Sequence, residues 1–246
     1  MKKLFTILFL SSLCTMGLRA QDRLQPAESA LDTPSYFLDY SKALQKSLLS
    51  AEEKYRPFLF KYFVHPSFSL EYFLGLTRHD ETYRLVHRSL EKSVWKTLSN
   101  GNKYRMVIDS SAVPVREIQR EISPESAKLL QKLMSKAIFS AEFPKPEVIT
   151  EPEIATPTTD EEVKGETVMK RIRIRLDGTN YYFSIWNYED YRDFTATVWS
   201  PDKGSKTEEL VDIFEKIIAL MCSDGKQTVE LDSALKNRIE KLISEW

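Results

Sequence analysis

Glycine and cysteine are scarce in this sequence, which has 7 glycines and 2 cysteines among its 246 residues. The glycines are scattered and form no phosphate-cradling loop, so nucleotide binding is disfavoured and we expect no cofactor. Cys14 lies in the apolar N-terminal segment, which leaves Cys222 without an internal disulfide partner once that segment is removed. Because Cys222 follows Met221 at the end of an apolar helical stripe, we interpret it as a buried structural thiol rather than a nucleophile.

Long apolar runs are also lacking after the first twenty residues. Lys2 and Lys3 precede an apolar run at 4–16, and the small residue Ala20 follows, which is the pattern of a secretory signal cleaved before Gln21. A helix of that run rises only about 20 Å, against roughly 30 Å of bilayer hydrocarbon, which disfavours a permanent span. A lipid anchor at Cys14 is disfavoured because Leu13 stands where a small residue is needed. We therefore expect an exported protein, periplasmic or secreted, with no transmembrane segment in the mature chain.

Charge of one sign is not in excess. Loss of Lys2, Lys3 and Arg19 with the signal changes the formal net charge from −1 to −4, which argues against nucleic acid or an anionic membrane as a partner.

Histidine is rare too, with only His65, His79 and His87. Their spacing matches no metal-ligand motif, so we interpret them as surface or turn residues and expect no metal site. A serine nucleophile would need a motif such as Gly-x-Ser-x-Gly, which is absent, and no residue can be assigned as catalytic.

Composition shifts divide the chain into five parts. These are a signal peptide (1–20), a flexible leader (21–33), an N-terminal α+β half (34–142), an acidic proline-rich linker or loop (143–167) and a C-terminal half of three strands and two helices (168–246). Residues 147–166 hold seven acids and one lysine, so this segment is solvated whether it separates domains or forms a long loop.

Hydrophobic periodicity predicts the elements of the N-terminal half. Apolar residues at helical spacing predict a first helix after Thr33 and as far as Tyr55. Aromatic and β-branched runs predict strands at 58–64, 72–76, 83–86 and 104–108. A connection through Val113 and Pro114 then leads to a helix that begins at Ser123.

The C-terminal half contains the clearest alternation. Residues 168–176 alternate strictly, the turn 177–180 follows, and 181–186 returns, which predicts a hairpin in which Leu176 pairs with Tyr181. A third strand is predicted at 194–199, a capping box at Ser205 and Glu208 starts a helix, and a final helix ends the chain. The expected fold is α+β, an antiparallel sheet of meanders or hairpins with helices packed on one face, and the order of elements suggests two similar strand-then-helix halves.

One face of the predicted hairpin has a composition suited to binding. Guanidinium groups beside aromatic rings can stack and form a surface for a sugar or an anionic polymer. The plainer interpretation is a solvent-facing sheet stabilised by cross-strand pairs, or one covered by the first helix, and the pattern favours it. The candidate ligand surface consists of Arg171, Arg173, Arg175, Tyr182, Trp186 and Trp199.

The block Asp-Gly-Thr-Asn-Tyr-Tyr-Phe-Ser at 177–184, the step Thr-Val-Trp-Ser-Pro at 197–201 and the helix after it resemble a family of uncharacterised secreted bacterial proteins. The resemblance covers 168–246 and implies an exported α+β protein. It supplies no activity and no site residue.

Two functions of different classes follow as hypotheses. The first is a non-catalytic exported module that binds an envelope glycan or protein through the arginine, tryptophan and tyrosine face. The second is a secreted or periplasmic hydrolase with a dispersed site. An enzyme should show a deep cleft with converging titratable groups, whereas a binding module should show an open face.

Overall fold

The structure, a computed structural model, describes residues 23–27, 44, 47–49, 57–67, 69–92, 113–142, 178–223 and 227–246. The predicted signal peptide, the linker 143–167, the predicted strands at 104–108 and 168–176 and most of the predicted first helix lie outside these residues. Within the described residues, no helix combines the length and apolarity that a bilayer crossing requires.

Eight strands form one sheet in the order β1-β7-β6-β2-β3-β4-β5-β8. All neighbouring pairs are antiparallel except β5 and β8. The strands are β1 (Gln25–Ala27), β2 (Phe60–Pro66), β3 (Tyr72–His79), β4 (Thr82–Leu90), β5 (Val115–Ile122), β6 (Thr179–Asn187), β7 (Arg192–Trp199) and β8 (Thr228–Val229).

Three helices whose bounds lie within the described residues accompany the sheet: α1 (Pro124–Phe139), α2 (Lys206–Cys222) and α3 (Ser233–Glu245). Their starts are fixed by side-chain caps, since Ser123, Ser205 and Asp232 accept hydrogen bonds from backbone N–H groups of the first turns. The predicted starts of α1 and α2 and the predicted α+β class are confirmed.

The predicted strands of the first half are confirmed as β2, β3 and β4, whereas β5 was missed. Residues 115–122 were read as a connection because charged residues alternate with few apolar ones there. Arg88 and Glu117 face each other across β4 and β5 at 2.6 Å, so ionic cross-strand pairs help to hold this strand.

The predicted pairing of 181–186 with 168–176 is wrong. One edge of β6 pairs with β2, where Phe183 faces Tyr62, and its other edge pairs with β7, where Phe183 faces Ala196. Both edges are therefore occupied, and strands from the two sides of the linker lie together at the centre of one sheet. The predicted division of β6 and β7 into two faces is nevertheless right, because alternation alone determines which side chains share a face.

The main core lies between the helices and one face of the sheet. Phe60, Tyr62, Phe183 and Phe214 are fully buried there, with aromatic rings in edge-on and stacked contacts. Each such side chain stabilises the fold by roughly 1.5–3 kcal/mol through burial.

The opposite face of the sheet, called the second face below, has a smaller core. Leu44 and Leu48, helical residues of the predicted first helix, pack there with Phe63, Phe73 and Tyr182. Arg88 also donates to the carbonyl oxygen of Leu48 at 2.7 Å. Part of the second face is therefore covered, as the plainer interpretation of the sequence expected.

Candidate functional site

Of the predicted ligand surface, the structure describes Tyr182, Trp186 and Trp199. Arg171, Arg173 and Arg175 lie outside the described residues. Tyr182 is on the second face as predicted, but it is buried in the smaller core, with its ring 5.0 Å from that of His65. Its ring is therefore not available for stacking on an external ligand.

Trp199 has a structural role at one end of β7. A Cβ atom added to Gly178 would lie 2.6 Å from the Trp199 ring and 2.6 Å from Ser200 Oγ, so only glycine fits beneath this indole. The backbone N–H of Thr179 donates to Ser200 Oγ, and that of Ser200 donates to the carbonyl oxygen of Thr179. These contacts join the Gly-Thr sequence at 178–179 to the Trp-Ser sequence at 199–200.

The three histidines do not converge. His65 lies on the second face and burial lowers its pKa to about 4, whereas His87 lies on the helix side and its Nδ1–H donates to the Phe73 carbonyl oxygen at 3.0 Å. His79 is exposed at the end of β3, beside Asp80 of the following turn. Only His79 matches the predicted surface or turn position, and the described residues hold no group of three metal-ligating side chains.

Cys222 is exposed rather than buried, which corrects the prediction. Met221 occupies the last buried position of α2, and one residue further along the helix points about 100° away from it. The thiol therefore faces solvent at the helix end.

Trp186 lies at the other end of β6, among polar residues of the second face. Lys61 forms an ion pair with Asp193, the direct cross-strand neighbour of Trp186. Trp186 Nε1 and Asp193 Oδ1 are both buried and have no hydrogen-bond partner within the part of the chain that the structure describes. An unpaired buried polar group costs roughly 1–3 kcal/mol, and such groups concentrate at functional positions.

The turn between β6 and β7 places aromatic side chains in solvent. Tyr188 is 59% exposed and Tyr191 is 79% exposed. The turn is held by Asn187, whose Oδ1 accepts from the N–H of Glu189 at 2.8 Å and whose Nδ2 donates to Asp190 at 3.0 Å. Neither tyrosine ring takes part in these hydrogen bonds. We call residues 186–193 the hairpin tip.

Tyr191 has a strained backbone as well as an exposed ring. Its φ of 50° lies in the left-handed region, where a bulky side chain is a rare outlier and Gly or Asn is favoured. A residue in this conformation lowers the free energy of unfolding by an amount of order 1–3 kcal/mol. Because the ring is exposed, its burial offsets little of that loss. Tyr191 therefore destabilises the turn relative to Gly or Asn at the same position.

The helix side of the hairpin tip is aromatic too. Phe139 at the end of α1 is 66% exposed, and its ring centroid is 5.5 Å from that of Phe194. The Arg192 guanidinium lies 4.8 Å from the centroid of Phe194 on the next position of the same strand face. Three of the four exposed large apolar side chains among the described residues thus lie at this end of the sheet, the fourth being Leu70.

A second cluster, the tyrosine–glutamate cluster, lies on the helix side toward the other end of β6. Glu215 of α2 accepts hydrogen bonds from the hydroxyls of Tyr62 and Tyr72, both at 2.7 Å and both to Oε1. Tyr181 stacks on Tyr62, with ring centroids 6.2 Å apart. Burial and then the charge of Glu215 raise the pKa of Tyr62, and burial and the hydrogen bond to Glu215 raise that of Tyr72, so both phenols are neutral donors.

Two grooves lie elsewhere. One, of about 440 Å³ between α2 and α3, has an apolar floor of Ala219, Leu220 and Leu235. The other, of about 500 Å³, lies beside Trp246 and the start of α2. At the start of α2, Ser205 Oγ accepts from the N–H of Glu208, and the Glu208 carboxylate accepts from the N–H of Gly204, which precedes the helix.

Sequence reasoning did not identify Tyr188, Tyr191 or Glu215. The exposed tyrosines had a usable signal, since two aromatic residues sit in the polar turn sequence Asn-Tyr-Glu-Asp-Tyr-Arg at 187–192. Glu215 had none, because it is one acidic residue on an amphipathic helix and its partners are distant in sequence.

Comparison with known proteins adds no relative: no family model, no curated protein and no solved structure matches the chain.

Proposed function

We propose that this protein is an exported, non-catalytic binding module that recognises an envelope glycan through the hairpin tip. Export is supported by the charged, apolar and small-residue pattern of residues 1–20. The observation that carries the proposal is Tyr191, an exposed aromatic residue at a strained backbone position that nothing in the packing of the turn requires.

Three departures from ordinary packing lie at the tip, and buried side-chain atoms without a partner in the described residues also occur at Arg120 and Trp246. The strained Tyr191 and the buried unpaired atoms of Trp186 and Asp193 all fall within eight residues. Proteins depart from local structural rules mainly where function requires it. The coincidence of three departures within eight residues therefore supports a site here.

The chemistry of the tip suits a carbohydrate better than a protein. Exposed phenol rings can stack against the apolar faces of sugar rings, and Glu189, Asp190 and Arg192 supply acceptors and donors for hydroxyl groups. A stable protein interface buries about 800 Å² on each partner, whereas the tip is a short turn between two strands. The glycan hypothesis is therefore the one we favour.

The hydrolase alternative has its best centre at Glu215. Glycoside cleavage needs a pair of carboxyl groups, and the groups that contact Glu215 are neutral phenols. The hairpin tip, which is open, supports binding more directly.

A pelleting assay with purified protein tests the proposal. The protein is mixed with insoluble envelope polysaccharide and, separately, with envelope protein, and the bound fraction is measured for the unaltered chain and for the double variant Tyr188→Ala/Tyr191→Ala. Loss of two stacked rings should weaken polysaccharide binding about tenfold.

The matched control is Leu70→Ala, which removes an exposed apolar side chain away from the tip. It should bind as the unaltered chain does. If the double variant binds polysaccharide as well as the unaltered chain does, the hairpin tip is not the binding site. If the unaltered chain pellets with envelope protein but not with polysaccharide, the ligand is not a glycan.

A further inference from the structure

Glu215 is a half-buried carboxylate without a cationic partner in the described part of the chain. The neighbouring ammonium of Lys216 does not neutralise it, because it pairs with Asp212 at 3.2 Å. Removing a carboxylate from water is costly unless hydrogen bonds or an opposite charge compensate. The two phenol donors compensate in part, and both act on Oε1.

The second oxygen, Oε2, is the open position of this cluster. No hydrogen bond from a described residue reaches it, and it is not among the buried polar atoms that lack a partner, so it borders solvent. Tyr72 and Tyr181 beside it are themselves only half-buried. An incoming group can therefore reach both the carboxylate and the edges of aromatic rings.

The ring environment favours a cation over a neutral or anionic ligand. Electron-rich phenol rings attract positive charge. Because their hydroxyls remain protonated, the rings add no negative charge that would require a divalent metal ion. The site thus has one negative charge and an aromatic surround.

We propose that the tyrosine–glutamate cluster binds a primary ammonium group, which donates to Glu215 Oε2 and lies against Tyr72 and Tyr181. A guanidinium group binds a carboxylate best through two parallel hydrogen bonds to both oxygens. Oε1 is already occupied by two phenols, so only the compact charge of an ammonium group matches the single open oxygen.

This site is separate from the hairpin tip. Tyr181 and Tyr188 are seven residues apart along β6, roughly 23 Å at the rise of a strand. The proposal of an ammonium site can therefore be tested independently of the proposal of glycan binding.

NMR titration of the purified protein, observed at the tyrosine ring signals, tests the site. The probes are Nα-acetyl-lysine methylamide, the arginine analogue, the uncharged norleucine analogue and n-butylamine. The lysine probe should shift the Tyr72 and Tyr181 signals with a dissociation constant on the order of 10 mM, as expected for one charged hydrogen bond. The norleucine probe should leave them unchanged, and the arginine probe should bind no more tightly than lysine.

The comparison of n-butylamine with the lysine probe identifies the source of the amine. Tighter binding of the lysine probe indicates a protein side chain, and equal or tighter binding of n-butylamine indicates a small free amine. Both results support the site, because both ligands share the ammonium group.

The variant Glu215→Gln keeps an oxygen acceptor for the tyrosines and removes the charge, so it should abolish the lysine-induced shifts. Glu209→Gln is the matched control on the same helix, since its carboxylate pairs with Arg238 and its removal leaves the Lys216–Asp212 pair in place, and it should retain them.

The proposal is overturned if the norleucine probe shifts the signals equally, if Glu215→Gln responds like the unaltered protein, or if no probe moves Tyr72 and Tyr181. The last outcome would leave Glu215 as a tether between α2 and the sheet. The charged and neutral probes decide the matter on the unaltered protein even if the Gln variant does not fold.

Discussion

Tyr191 carries the functional argument at the scale of single residues. Positive φ also occurs at Asp80 and Ser200, but each has a structural reason. Asp is among the residues that enter the left-handed region readily, and Ser200 is held by its bonds to Thr179. Tyr191 is neither a favoured residue type nor packed into the fold. Its presence therefore costs stability without a visible structural return.

This leads to a prediction about Tyr191→Asn. Asparagine tolerates the left-handed region, so the variant should raise the free energy of unfolding by about 0.5–1 kcal/mol. Urea denaturation followed by circular dichroism measures the change. In the same protein, binding at the hairpin tip should weaken.

Tyr188→Asn is the matched control, because this neighbouring tyrosine is exposed but has no positive φ. Its free energy of unfolding should change little. If Tyr191→Asn were instead less stable than the unaltered chain, the ring would be a packing residue, and the account of the strained position would fail.

Trp199 is a residue whose structural role was not predicted from the sequence. An indole on a polar strand face resembles a stacking platform, yet its ring covers Gly178. The sequence could predict the face but not the glycine beneath it, since the two residues are 21 positions apart. Contacts of this range depend on which strands become neighbours.

At the scale of elements, β6 shows what local sequence determines. Its alternation placed Tyr182, Ser184 and Trp186 on one face, and the structure has them there. The predicted neighbour of β6 was wrong. The sequence predicts a hairpin with the segment just before it, whereas β2, over a hundred residues away, pairs with that edge of β6. Face follows from local periodicity, whereas pairing depends on the competition among all strands.

β5 was missed for a related reason. Only Ile118 and Ile122 of its eight residues pack on the main core. Hydrophobic alternation is therefore weak, and the strand is held by pairs such as Arg84 with Glu121 across β4. Ionic pairing of this kind becomes recognisable only once both strands are aligned.

Gly75 in the middle of β3 gives an element-scale prediction. A Cβ atom there would lie 2.4 Å from the Phe58 ring and 2.5 Å from the Phe73 ring. Both rings are buried in the smaller core, so Gly75→Ala must displace them and should lower the free energy of unfolding by about 3 kcal/mol. Chemical denaturation measures the loss.

Gly204→Ala is the comparison variant. It has open space around the added methyl group but a φ of 78°, so backbone strain alone should cost about 1 kcal/mol. If Gly75→Ala were the milder of the two, the close packing of Phe58 on β3 would be incorrect.

At the scale of the whole molecule, the two faces of the sheet are covered to different extents. Three helices cover one face completely enough to bury a large core, while a helical segment with Leu44 and Leu48 covers part of the other. The β6–β7 turn projects from the end of this assembly. Exposure of Tyr188 and Tyr191 at this end of the sheet is therefore a property of the complete fold, whereas the sequence patterns predicted most strands but not all of their neighbours.

Hydroxyl-radical footprinting of the full chain, with and without purified envelope polysaccharide, tests the central claim most directly. Oxidation of Tyr188, Tyr191 and Phe139 should fall severalfold when the polysaccharide is present, while that of Leu70 should not change. Unaltered oxidation of the two tyrosines in the bound protein, or protection that falls instead on the groove between α2 and α3, would contradict recognition through the hairpin tip.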